Sequence, residues 1–208
     1  MLRPARAGAE HPTPHPAAPG WRTSLAQLRA QWAFDTRGVL RGVAFLVLLA
    51  LGLANTFGAL ALSGQIYGTP VLPVTHVVLD SATGGISLFL IIMIVFYAGE
   101  LTWRERTQRV AEVSDAFPVA DWVALGAKFG ALAATILATL VVAMLFALGW
   151  QLAHGFTHVE PGLYLSTLAL KTIPFLLMAA MALFWQALAN NKFLGYLFNI
   201  LWLVLSSI

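Results

Sequence analysis

The sequence contains no cysteine, and only 10% of its residues are charged. The first absence excludes disulfides, thiolate nucleophiles and cysteine-based metal sites, and leaves the redox compartment open. The second sets the chain apart from soluble domains, of which about a quarter is charged. No HExxH, GxxxxGK[ST] or GxSxG pattern occurs. A zinc peptidase site, a backbone cradle for nucleotide phosphates and a nucleophile elbow therefore have no residues to form them. No catalytic residue, cofactor or metal site is assigned. The first twenty residues lack the continuous apolar core of a secretory signal. The net charge of +3 is small, and it flanks the apolar blocks instead of forming a patch for nucleic acid.

What remains is apolar. The chain is 59% hydrophobic, with a mean hydropathy of +0.79. Its apolar residues come in blocks of about 20, the length a helix needs to cross roughly 30 Å of hydrocarbon. The expected fold is all-α: a polytopic membrane bundle of about five transmembrane helices, an N-terminal interfacial helix and a cytoplasmic coupling helix. Residues 1–20 are rich in Pro, Ala and Gly and read as a disordered tail or linker. His11 and His15 stand there among prolines, which prevent the helical pairing that would aim both rings at one ion. In 21–37, Trp21, Leu25, Leu28 and Trp32 share one helical face and Arg22 and Arg29 lie elsewhere, as suits a helix in the membrane interface. Thr23 or Ser24 is the expected cap.

The spans are expected at 39–62, 76–98, 122–152 and, ending at Ala189, a fourth of uncertain start; a fifth run covers 193–208. Asn55 and Thr56 are expected to bond a neighbouring helix, and Gly52 and Gly58 to permit close packing. The third span exceeds one bilayer thickness and should protrude or tilt. The fourth either begins near Gly162 and buries Lys171, or breaks at Pro174 with an outer half-helix before it. The fifth run stops after 16 residues without a polar flank, and the domain 21–208 is expected to be an incomplete, C-terminally truncated half. Eleven basic residues fall on the side of the N-terminus, the segment from Phe96 to Lys128 and the Asn190-Asn191-Lys192 turn, against Lys171 alone on the other. By the positive-inside rule the first side is cytoplasmic and the loops at 63–75 and 152–164 face out.

The charge-dense stretch between the second and third spans organises the chain. Glu100, Trp103, Arg104, Glu105, Arg106, Arg109, Glu112 and Asp115 are the expected points of partner contact. Residues 100–117 read as a helix: Glu105 and Arg109 pair at i,i+4, Glu100 is placed to pair with Arg104, and Pro118 ends it. Asp121 is then placed to cap the third span. A charged helix held between two spans can pass force from a soluble partner into the membrane.

This segment, Tyr97-Ala98-Gly99-Glu100-Leu101-x-Trp103-Arg104-Glu105-Arg106 with Glu112, Val113, Asp115, Ala116, Pro118, Val119, Trp122 and Lys128, resembles the first cytoplasmic loop of ABC-2-type transporter permeases. It is similar to the permease region of bacterial permeases fused to an M1-family aminopeptidase. The 189–196 turn and the Phe34-Asp35-Thr36-Arg37-Gly38-Val39-Leu40 stretch fit the same pattern. The resemblance implies the permease subunit of an ATP-driven exporter in a bacterial inner membrane, with a coupling helix at 101–117 that docks on a separate ABC ATPase subunit. It also implies a second permease half, identical or not, and alternating access. No peptidase activity carries over, since the zinc motif is missing.

Two other readings stand beside it. A membrane enzyme would gather His76, Asp80, His154, His158, Glu160 and Lys171 at the outer face. A membrane anchor or scaffold would have no transport path of its own. His154 and His158 have a spacing that can ligate a metal, but Gly155 weakens a helix there. The substrate is not legible in the spans.

Overall fold

The computed structural model describes residues 20–63, 65–66, 69–70, 74–107 and 120–206. Six helices follow in order: α1 (Trp21–Leu40), α2 (Val43–Ser63), α3 (Thr75–Thr107), α4 (Asp121–Ala153), α5 (Pro161–Leu188) and α6 (Lys192–Ser206). A two-residue antiparallel pairing, Gln65–Ile66 with Thr69–Pro70, lies between α2 and α3. Helices α2 to α5 are long and apolar enough to cross a membrane, and α6 is a shorter apolar helix. Apart from that short pairing the described residues form helices, and the four long apolar ones make the chain a multi-pass membrane protein.

The axis of the bundle is α3 with α4. Half of the apolar window of each is buried, against 22% for α2 and 17% for α5. The outer helices therefore keep most of their apolar surface for lipid. From α3, Ile86, Leu90, Met93, Ile94, Tyr97 and Leu101 recur at helical spacing and meet Leu132, Ile136 and Leu140 of α4. Ala179 and Ala182 complete the cluster from α5.

Small residues set the closest approaches, as is usual where lipid removes any hydrophobic drive between helices. Gly52 of α2 sits against Ile86 and Phe89, and Gly85 of α3 against the backbone of Thr56. Asn55 donates its side-chain amide to the Gly85 carbonyl at 2.8 Å. Thr56 instead bonds the Gly52 carbonyl of its own helix, and a side chain at Gly58 would meet nothing. The expected packing role thus belongs to Gly52 alone, and the expected interhelical bond to Asn55 alone.

Several helix boundaries depart from expectation. Helix α1 starts after Gly20; Thr23 donates to the Gly20 carbonyl and neither it nor Ser24 caps the end. Ala120 precedes α4 with no side-chain cap, so Asp121 is the first helical residue and acts on the helix dipole instead. Helix α3 begins at Thr75, one residue from the expected start, but runs through the expected span end at Ala98 to Thr107 without a break. Helix α5 is continuous from Pro161 and holds Pro174 inside it, so there is no outer half-helix. Asn191 caps α6, its carboxamide oxygen accepting from the Leu194 N–H at 2.8 Å.

At the Thr75 end, one glutamine ties three helices. Buried Gln151 of α4 donates to the Thr75 hydroxyl at 3.0 Å and accepts from the Tyr164 hydroxyl of α5 at 2.9 Å. Helix α4 stops one turn later at Gly155, whose φ of 78° lies in the left-handed region. The Phe156 N–H turns back to the Gln151 carbonyl, and the Gly155 N–H to that of Leu152. This doubly bonded close leaves few orphan carbonyls and needs glycine at the turn.

Candidate functional site

The last two turns of α3 within the bundle, 96–104, are gripped from three sides. Nearest the core, Tyr97, Ala98 and Leu101 are buried. The opposite and flanking positions carry polar groups: Thr102 donates to the Ala98 carbonyl of its own helix, while Glu100, Trp103 and Arg104 each find a partner on a different element.

Glu100 Oε2 lies 2.6 Å from Lys192 Nζ at the start of α6. Arg104 Nη1 lies 3.2 Å from Asp35 Oδ1 of α1, whose carboxylate is buried. Trp103 donates its indole N–H to Gln186 Oε1 of α5 at 3.0 Å. Tyr196 of α6 donates its hydroxyl to the Phe96 carbonyl at 3.3 Å. A charge or amide buried at such a place is costly unless it is bonded, so these partners hold one geometry.

Three glycines make the approach possible. The Tyr196 ring fills the place where Gly99 would carry a side chain, and the Gln186 carboxamide does the same at Gly195. A Cβ on Gly38 would stand 3.2 Å from the Arg104 guanidinium. Asn199, one turn after Gly195, donates to the carbonyls of Ala182 and Gly195 and fastens α6 to α5. The result is a polar knot joining α1, α3, α5 and α6.

The knot assembles the three stretches singled out in the sequence: 34–40, 97–106 and 189–196. Within it, the expected Glu100–Arg104 pair does not form; tertiary partners take both groups. Glu100, Trp103 and Arg104 spend their side chains on contacts inside the chain. Glu105 and Arg106 extend α3 by backbone. Arg109, Glu112 and Asp115, with Pro118 and most of the expected 101–117 helix, lie outside the described residues.

Helix α1 runs beside α4. Leu28 sits at Gly126 and Trp32 at Gly130, advancing four residues on each helix, so the two run in the same sense. The side of α1 turned to the bundle mixes polar and apolar groups: Ser24, Asp35 and Val39 are buried, and Gln27, Leu28 and Gln31 half-buried. Trp21 and Leu25 face outward at 70% and 42% exposure.

At the other end of α3, Asp80 Oδ1 meets Lys171 Nζ of α5 at 3.5 Å, with both side chains largely exposed. Of the six residues considered for an outer-face enzyme, these are the two that touch. His154 is occupied by Trp150, whose carbonyl lies 2.9 Å from Nδ1 and whose ring lies beneath the imidazole. Among the described residues no group of three or more His, Asp or Glu is placed to hold a metal. Grooves on the surface are apolar; one of about 490 Å³ between α4 and α5 is lined by Trp122, Phe129, Leu183 and Phe184.

Tyr196 enters the sequence analysis only as the last residue of the 189–196 turn, and Gln186 and Asn199 do not enter it. The signal for those two was there: a carboxamide within an apolar run must find a partner, and a neighbouring helix is the usual one. Comparison of the chain with protein-family models, curated proteins and solved structures gives no match.

Proposed function

We propose that this chain is the transmembrane permease subunit of an ATP-driven exporter of the ABC-2 type, in a bacterial inner membrane with its N-terminus in the cytoplasm. A separate ATPase subunit docks on the segment that continues α3 beyond Arg104, and a second permease half completes the transporter. The single observation behind this reading is the polar knot: the three stretches that resemble the family's cytoplasmic side are brought together where α3 ends. A coupling segment needs a stiff link to the bundle. Here the helix passes unbroken from Thr75 to Thr107 and is pinned by Asp35, Gln186 and Lys192 just before it leaves. Movement of the docked segment would pull on α1, α5 and α6 together.

Within 100–115 we assign Glu100, Trp103 and Arg104, whose side chains have partners inside the chain, as anchors, and Glu105, Arg106, Arg109, Glu112 and Asp115 as the docking surface. The test is co-purification with ATPase subunits encoded beside the gene. Reversing charge at Arg106 and Arg109 together abolishes the association; unchanged association defeats the reading.

A second reading is favoured by the apolar lining of the surface grooves. It makes the chain a membrane scaffold that binds partners without a path of its own. ATP-dependent movement of solute in proteoliposomes separates the two.

A further inference from the structure

We infer that the exposed Asp80–Lys171 pair is the headgroup site of a bound phospholipid that carries both a phosphate and a primary ammonium, as phosphatidylethanolamine does. The inference rests on α3 and α5 crossing the membrane and not on the exporter reading.

The pair sits at the depth where headgroups meet hydrocarbon. Thr75 and Tyr164 share one level, since both bond Gln151. Asp80 lies about 8 Å along α3 from Thr75, and Lys171 about 10 Å along α5 from Tyr164, at 1.5 Å per residue. An ammonium in hydrocarbon is costly, and the lysine stem carries it toward Asp80 and the boundary. The two groups meet by one contact, Nζ to Oδ1 at 3.5 Å, and both residues are exposed. Among the described residues no other side-chain hydrogen bond or ion pair engages either charge. A single long contact leaves most of the ammonium's donors and the carboxylate's acceptors open to the lipid side.

Opposite charges side by side call for a headgroup with both signs. A phosphate can take the Lys171 ammonium while a primary ammonium donates to Asp80. Phosphatidylglycerol brings no cation, and Asp80 repels its phosphate. Phosphatidylcholine has no N–H to donate. Beneath the pair, Asp80, Gly84, Ser87 and Ile91 recur at i, i+4, i+7 and i+11 and share one face of α3. Gly84 is exposed, and a side chain there would meet nothing. Ser87 gives its hydroxyl to the Thr83 carbonyl of its own helix, so it adds no open polar group to this face. The face therefore has room for an acyl chain. Asp80 to Ile91 is about 16 Å, close to the hydrocarbon depth of one leaflet. At Ile91 an apolar groove of about 330 Å³ opens, with Val95 and Phe96 of α3 and Tyr196, Ile200 and Leu203 of α6. A soluble zwitterion has nothing to lay along this face, whereas a phospholipid covers it.

The test uses the full chain without any ATPase, so that its outcome is separate from that of the docking experiment. The protein is reconstituted in nanodiscs of equal phosphatidylethanolamine, phosphatidylcholine and phosphatidylglycerol. It is then released into mild detergent, and the retained lipid is identified by native mass spectrometry. Wild type retains phosphatidylethanolamine over both others. Asp80→Asn loses about tenfold of the preference over phosphatidylcholine, the worth of a charge-assisted hydrogen bond. Lys171→Gln lowers retention of these two lipids alike. Gly84→Leu, which fills the track without touching the protein, lowers retention and leaves the headgroup preference as it was. One check needs no variant: dimethylated phosphatidylethanolamine, which keeps one N–H, is retained above phosphatidylcholine. Added soluble phosphoethanolamine does not displace the lipid. Equal retention of the three lipids by wild type overturns the inference. So does an Asp80→Asn or Gly84→Leu protein that behaves as wild type, a dimethylated lipid held no better than phosphatidylcholine, or displacement by the soluble headgroup.

Discussion

The two ends of α3 use the same chemistry to different effect. At one end, Asp80 and Lys171 form an ion pair at 3.5 Å, with side chains 80% and 46% exposed. At the other, Arg104 and Asp35 meet at 3.2 Å with side chains 21% and 9% exposed, beside a second pair, an indole–carboxamide bond and three glycine contacts. In water an isolated pair costs as much side-chain entropy as it returns. Withdrawn from water, it fixes a geometry, because breaking it strands a buried charge. The difference marks which end of the helix is held fast and which is free.

That contrast can be broken in graded steps, each read as a change in unfolding free energy of the purified protein in detergent. The largest loss is expected from Arg104→Ala, which takes the cation from a buried carboxylate and costs about 3 kcal/mol. Changing Asp35 to Asn in the same protein recovers part of this loss; a double variant no better than the single would show that the carboxylate is not what suffers. Next comes Gly99→Val, which drives a side chain into the Tyr196 ring and costs about 2 kcal/mol by overpacking. Its effect should vanish in a Tyr196→Ala background. Lys192→Gln at the half-exposed second pair costs about 1 kcal/mol and loses its effect in high salt. Lys171→Gln at the far end changes stability by less than about 0.5 kcal/mol. A far-end loss as large as that at Arg104 would erase the distinction.

Much of this was legible in the sequence. Block length and hydropathy locate the four long helices, because hydrocarbon thickness dictates both. Boundaries set by tertiary contact were not legible. Residues 100–117 read as a helix separate from the second span, yet α3 runs into them without a break as far as Thr107, with Lys192 and Asp35 pairing Glu100 and Arg104 from other helices. Glu100 and Arg104 lie one turn apart and invite a local pair, but that rule describes an isolated helix and yields to closer partners. The fourth span left two openings, and α5 takes the first in its start, at Pro161 beside Gly162, but Lys171 is not buried and reaches out to Asp80. For the site, the three stretches were visible as motifs, whereas their convergence needed the fold. Gln186 carried no motif, and its place against Gly195 and Trp103 emerges only when α3, α5 and α6 are packed together.

The absence of cysteine provides the most direct test of the central claim, that the charged segment after α3 lies in the cytoplasm as the handle of an outside motor. A single cysteine introduced as Ser114→Cys is the sole thiol in the chain. It should react with a membrane-impermeant maleimide in inside-out vesicles, stay unlabelled in intact cells, and become protected when the ATPase subunit is present. Labelling from outside intact cells would invert the topology and contradict the account.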